Sequence, residues 1–248
     1  MPELLNADIF LALCMMAAAV LYTSVGHGGA SAYIALMALF GVETPVIRPT
    51  ALVLNLIVSG LGSWRFSRAG LFRWRTLWPF LLGSLPMAFL GGALHVPGDI
   101  YRPLVGVVLL LSAGRLLWPG ELPAARAWRD PPVWLGIPAG AAIGLLSGLT
   151  GTGGGIFLSP LLMFCGWSAP KPASGVAAVF ILANSAAGLI GNLTSVRQLP
   201  AELPMFAGAV VVGALIGTTL GIRLPQGVIL KVLGLVLLVA AFKLIAAW

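Results

Sequence analysis

The sequence predicts an all-α integral membrane protein of two five-segment repeats, inverted relative to one another, each with a glycine-rich turn before a short half-helix. Three observations predict it. Of the 248 residues 59% are hydrophobic and 8% charged, and the mean hydropathy of +1.03 belongs to a chain that sits in lipid. Apolar runs of roughly 17 to 22 residues recur along the length, about what a helix needs to cross a hydrocarbon core, without the alternation of a transmembrane barrel. The chain also repeats itself at an offset of 125 residues.

In the first half the apolar segments fall near 9–25, 30–41, 47–64, 77–94 and 99–118, and in the second near 133–149, 153–165, 172–192, 203–222 and 227–247. The first run follows MPELLNADIF, whose Glu3 and Asp8 occupy the place of a basic signal-peptide region, so it is read as retained. The second of each set is too short: about twelve residues of helix rise only about 18 Å, which suits a re-entrant or tilted half-helix. Polar connections lie at Ser63 to Thr76 and at Pro119 to Pro131. The halves are thus 1–118 and 132–248, joined by a cytoplasmic linker at 119–131.

The repeat is carried by glycines. At the offset of 125, Gly26, Gly28 and Gly29 fall on Gly151, Gly153 and Gly154, Leu36 on Leu161, Gly41 on Gly166, Pro45 on Pro170 and Ser59 on Asn184. With a small gap Gly83 and Gly91 fall on Gly213 and Gly221. Tandem duplication in an apolar chain is a recurring mark of secondary transporters. Counting basic residues tests orientation. With the Arg-rich 63–76 connection inside and the halves inverted, Arg65, Arg68, Arg73, Arg75, Arg115, Arg126, Arg129, Lys171, Arg223 and Lys231 lie inside, and Arg48, Arg102, Arg197 and Lys243 outside. Parallel halves give nine against five, and inversion is preferred mainly because the Arg-rich connection has a nearly uncharged counterpart at Leu193 to Pro200.

The net charge of +7 does not point to nucleic acid, because the basic residues sit in short loops and form no aromatic-interleaved face. Cys14 and Cys165 lie in apolar segments without metal-ligand spacing and read as small buried hydrophobes. No metal or other cofactor is implied.

A turn at membrane depth leaves the first N–H groups of the following helix without intrahelical partners, and lipid cannot supply them. Glycine permits positive φ and close approach of a ligand to the main chain, and a helix N-terminus carries about half a positive charge. GHGGA and GTGGG therefore read as an anion site of the kind that broken helices build. The plainer account of a membrane glycine is close helix packing, and it is the one given to Gly83, Gly91, Gly213 and Gly217. Nucleotide binding does not fit, because no strand, GK[ST] or downstream acid accompanies the glycines.

The stretches GHGGASAYIALMALFGVETPVIRPTALVLN and GLTGTGGGIFLSPLLMFCGWSAPKPASGVAAVFILANS resemble the two repeats of the TauE/SafE sulfite exporter family, also called the toluene-sulfonate uptake permease family. The resemblance covers nearly the whole chain. It implies a bacterial or archaeal inner-membrane, multi-pass carrier for sulfur-containing anions such as sulfite, sulfonates or sulfoacetate. Carried over by position, the substrate-binding turns are Gly26, Gly28 and Gly29 with Gly151, Gly153, Gly154 and Gly155. The first copy departs from the second in holding Ala30 opposite Gly155 and His27 opposite Thr152.

Other polar residues in the apolar segments are candidates for the same site. Asn55, Ser59, Asn184 and Ser185 lie in the third segment of each half and either donate to substrate oxygens or bond between helices. Ser24, Ser31, Thr150 and Thr152 flank the turns, as ligands or as caps. His27 reads as the carrier of a coupling proton or a donor to an oxyanion, with a neutral structural histidine as the alternative; sodium is the other coupling ion considered. Arg48 reads as a snorkelling interfacial residue rather than an entrance charge. Every Asp and Glu lies at a segment end or in a loop, so a carboxylate relay is not supported.

Rival classes remain at this level. An intramembrane enzyme would need a nucleophile and base or a metal cluster, for which the chain offers only His27 and His95 and no deep carboxylate. A non-transporting scaffold would use the glycines as packing contacts alone. An anion channel would share the carrier's site.

Overall fold

A computed structural model describes residues 2–94, 97–117, 129–192 and 199–223, with Leu238, Ala241 and Phe242 beyond them. Most of the tenth apolar run at 227–247 and most of the 119–131 linker lie outside the described residues, as do His95, Arg126, Arg197, Lys231 and Lys243. Among the described residues the chain forms helices α1 (Pro2–Ser24), α2 (Ala30–Leu39), α3 (Thr44–Arg68), α4 (Trp74–Ala93), α5 (Gly98–Leu117), α6 (Val133–Thr150), α7 (Gly155–Phe164), α8 (Pro170–Gly191) and α9 (Leu203–Arg223), and no strand. Six of them, α1, α3, α4, α6, α8 and α9, are long and apolar enough to cross a membrane. The protein is an all-helical, multi-pass membrane protein.

Glycine sets where the short helices begin and end. The bounds of α7 stand 125 residues beyond those of α2 at both ends (155 − 30 and 164 − 39). Their N-caps are Gly29, at φ 94°, and Gly154, at φ 75°. Gly41, at φ 76°, and Gly166, at φ 66°, turn the chain left-handed just after each short helix, the usual device for stopping one.

Two expectations need correction. The third segment does not end at residue 64, because α3 continues through Arg68. Of the basic residues assigned to a loop, Arg65 and Arg68 lie in its last turn, where cations complement the helix dipole, and Arg73 and Arg75 stand at the start of α4. Arg65 reaches across to α9, donating to the Leu215 carbonyl at 2.8 Å and the Thr218 hydroxyl at 2.6 Å, and Arg68 lies over the Trp64 ring at 5.0 Å. Nor are both cysteines buried. Cys165 is exposed and Cys14 half-buried, since Cys165 is the C-cap that follows α7 rather than part of a packed face.

Helices α3 and α8 cross at the centre, running antiparallel: Leu52 lies against Gly188, Asn55 bonds Ser185, and Gly62 faces Ala178. Two seams flank them. On α4 and α6, a Cβ on Gly140, Gly144 or Gly148 would fall on the carbonyl oxygens of Phe80, Ser84 and Ala88. On α1 and α9, a Cβ on Gly213, Gly217 or Gly221 would fall on those of Met16, Val20 and Ser24. Both seams are built of glycines spaced by four, which let backbones touch where larger side chains would hold them apart. Gly83 and Gly91, read as packing glycines, lie on the carbonyls of Ile137 and Leu145.

Replacing Gly144 with alanine is expected to destabilise the protein by about 1–3 kcal/mol through overpacking. The same change at Gly114, which has open space around it, should leave stability unchanged or slightly raised. Apparent melting temperatures in detergent test the contrast, and equal effects at the two positions would contradict the close seam.

Candidate functional site at the two glycine turns

Helix α1 stops at Gly26 in a Schellman arrangement: the N–H of His27 donates to the Tyr22 carbonyl at 2.9 Å and that of Gly26 to the Thr23 carbonyl at 3.1 Å. Gly26 takes the required positive φ of 77°. Helix α6 stops at Gly151, whose φ is 82° and whose N–H donates to the Ser147 carbonyl at 2.8 Å. Each turn then runs directly into a short helix, α2 or α7.

The turns meet on one side chain. A Cβ on Gly28 would fall on Oδ1 of Asn55, and one on Gly153 would fall on its Nδ2. The Asn55 amide thus lies between the first and second turns, in room that only glycine leaves open. Its Nδ2 donates to the Ser185 hydroxyl at 2.9 Å, tying α3 to α8, and both residues are fully buried. Ile181 touches both turns as well. His27, 7% exposed, sets its ring edge-on to Tyr22 at 6.4 Å and shares a hydrogen bond with the Gly155 backbone. Gly155 itself is crowded by Ile181, with His27 Cδ2 3.5 Å from where its Cβ would stand.

The meeting point is therefore polar, buried and under-satisfied. Asn55 Oδ1 and His27 Nε2 are buried without hydrogen-bond partners. The N-termini of α2 and α7 adjoin it, and their first N–H groups lack intrahelical acceptors. Neither N-cap receives a side-chain hydrogen bond. Among the described residues no Asp, Glu or Lys is buried, so the local field comes from two positive helix ends and from Arg48, buried beside Gly151.

The remaining candidates divide. Ser59 donates to the Asn55 carbonyl at 2.5 Å and borders a cavity of about 10 Å³ shared with Thr23, Gly26, His27, Gly62 and Phe66. Ser31 donates to the Tyr22 hydroxyl at 2.9 Å. Thr150 bonds back to the Leu146 carbonyl at 2.7 Å and lies 2.9 Å from the Thr152 hydroxyl; Ser24 bonds back to the Leu21 carbonyl at 2.6 Å. Asn184 turns its Nδ2 to the Phe180 carbonyl at 2.9 Å, and its Oδ1 is buried without a partner. None of the flanking Ser and Thr residues caps the N-terminus of a short helix, because glycine occupies that position in both.

Arg48 is not the interfacial residue expected. It is 8% exposed and donates to the carbonyls of Gly91 and Gly92 at 2.6 Å each and of Leu94 at 3.1 Å. It thereby caps α4, whose C-terminal carbonyls and dipole favour a cation, and its Cγ lies 3.2 Å from where a Cβ on Gly151 would stand. Tyr22 and Tyr33 also belong to the first turn, both buried. Aromatic residues in an apolar run look like core. The one available signal is that Tyr33 follows Gly29 by four, which points a helical side chain back over the turn.

The family model described as "Sulfite exporter TauE/SafE" matches residues 11–244. The chain is similar to the "Probable membrane transporter protein y4hK" of Sinorhizobium fredii, 39% identical over 241 residues that cover 96% of this chain and 98% of that protein. It is also 26% identical over 272 residues to the "Probable membrane transporter protein MamO" of Magnetospirillum gryphiswaldense, covering 92% of this chain and 42% of the relative. No solved structure matches.

Gly41 and Gly153 separate backbone strain from crowding. Both have positive φ, but a Cβ on Gly41 meets nothing within 4 Å whereas one on Gly153 meets the Asn55 amide. Alanine at Gly41 should lower stability by about 1–2 kcal/mol, the left-handed penalty alone. At Gly153 the loss should be larger by at least about 1 kcal/mol. Equal losses in thermal or denaturant unfolding would contradict the contact between turn and amide.

Proposed function

This chain belongs to the sulfite exporter TauE/SafE family of membrane transporters, and on that premise we propose that it is a secondary carrier of small sulfur-containing anions. The substrate class is sulfite, sulfonates, sulfoacetate or thiosulfate, held at the two glycine turns. The supporting observation is the convergence of both turns on the Asn55 amide. Gly28 and Gly29 with Gly153, Gly154 and Gly155 supply main-chain N–H groups at two helix N-termini, while Gly26 and Gly151, whose N–H groups donate to the Thr23 and Ser147 carbonyls, shape the turns. Asn55, Ser185 and His27 supply side-chain polar atoms, with Ser31, Ser59, Thr150, Thr152 and Asn184 around them. A pyramidal or tetrahedral oxyanion has three or four acceptor oxygens and spreads its charge over them. Two opposed sets of N–H groups without a carboxylate suit such an ion.

Alternating access follows from the enclosure. Asn55 and Ser185 are fully buried and His27 nearly so, so an anion enters or leaves only if the packing on one side opens. Helices α3 and α8, equivalent under the offset, cross antiparallel at the site, which favours inverted halves at 1–118 and 132–248 rocking about that crossing. We assign the protein to the bacterial or archaeal inner membrane, with a proton or sodium gradient as the driving force and the 119–131 linker on the cytoplasmic side.

Purified protein in liposomes tests the proposal. Radiolabelled sulfite should accumulate under a proton, sodium or voltage gradient, and Asn55→Leu should lower the initial rate by roughly tenfold or more, as expected for deleting a bond to a charged ligand. Wild-type liposomes that move none of sulfite, thiosulfate, sulfoacetate or taurine under any of these gradients would overturn it.

A further inference from the structure

We propose that Tyr33 is a substrate-binding residue of the first turn, its phenolic O–H donating to an oxygen of the bound oxyanion; the inference rests on the carrier function above. Tyr33 is fully buried, and its hydroxyl has no hydrogen-bond partner. A buried hydroxyl without a partner is destabilising in an apo protein, so a residue kept there needs an occasional acceptor.

Position supplies one. The Tyr33 N–H donates to the Gly29 carbonyl at 3.0 Å, which fixes the ring on the face of α2 that leans back over its N-cap. The hydroxyl lies 2.5 Å from where a Cβ on Gly29 would stand. Gly29 therefore has two functions: its φ of 94° opens the turn, and its missing side chain admits the phenol to the helix N-terminus. The Tyr33 hydroxyl thus stands without a partner near the turns, as His27 Nε2 does. The neighbouring Tyr22 hydroxyl, by contrast, has a partner, accepting from Ser31.

The second turn lacks the device. At the offset of 125, Tyr33 corresponds to Leu158 (33 + 125), Ser31 to Ile156 (31 + 125) and Asn55 to Phe180 (55 + 125). The two halves contribute differently: the second offers main chain with the hydroxyls of Thr150, Thr152 and Ser185, while the first adds phenol, amide and imidazole groups.

Isothermal titration of detergent-purified protein with sodium sulfite, against sodium chloride of matched ionic strength, tests this with Tyr33→Phe. The substitution keeps the ring and removes only the unpartnered oxygen. The variant should melt at the same or a higher temperature without sulfite, and should bind sulfite roughly ten- to a hundredfold more weakly than wild type. A variant that binds sulfite as well as wild type overturns the role of Tyr33 and leaves the carrier function standing. A variant that fails to fold also overturns it, because the hydroxyl would then be structural. Wild type that binds no sulfite, in a preparation that also transports none, overturns the carrier function and this inference with it.

Discussion

A polypeptide that breaks its helices inside a membrane protein leaves backbone groups that lipid cannot satisfy, and here two such breaks are packed around one buried side chain, the Asn55 amide. The rest of the architecture follows from bringing the turns together. Helices α1 and α6 have to stop at Gly26 and Gly151, which they do with left-handed caps. Helices α2 and α7 have to be short and start at glycine. Helices α3 and α8 have to cross closely enough for Asn55 to reach Ser185. A side chain at Gly28 or Gly153 would occupy the space of that amide and separate the turns.

Close backbone approach elsewhere holds the turns in register. The α4–α6 seam runs up to Gly148, a Cβ on which would meet the Ala88 carbonyl, and so delivers the end of α6 to the second turn. Arg48 joins the same place from α3, with its guanidinium on the last carbonyls of α4 and its stem beside Gly151. Arg65 ties the far end of α3 to α9. The bonds of Arg48 differ in kind from the exposed ion pair of Arg73 with Asp130 at 3.2 Å. A pair of that sort is screened by water and contributes at most about 1 kcal/mol, whereas a buried guanidinium on helix carbonyls also satisfies groups that would otherwise be left unpaired.

The sequence made the helices legible because apolar runs and glycine clusters are local signals. The short helices were readable for the same reason: the offset of 125 lands Gly29 on Gly154, and each proves to be an N-cap. What escaped depends on contacts between residues far apart in the chain. Arg48 looked interfacial because its position near a segment end says nothing of the α4 carbonyls more than forty residues on. Tyr33 looked like core because an unpartnered hydroxyl is a property of the packed state. Cys165 looked buried because its hydrophobic surroundings in sequence are not its surroundings in space. The end of α3 was misplaced because arginines at a helix C-terminus and arginines in a loop read alike until Arg65 is seen on α9.

Selenite has the shape and charge of sulfite and carries an atom that can be located without ambiguity. Crystals grown with sodium selenite, measured at the selenium edge, would show where the oxyanion lies. If the two turns hold it, an anomalous peak stands about 3–4 Å from main-chain nitrogens of both turns, the distance set by an N–H···O bond plus a selenium–oxygen bond, and near the Asn55 amide. A peak confined to surface arginines, or none between the turns in crystals that diffract well, would contradict the claim that the paired glycine turns are the binding site.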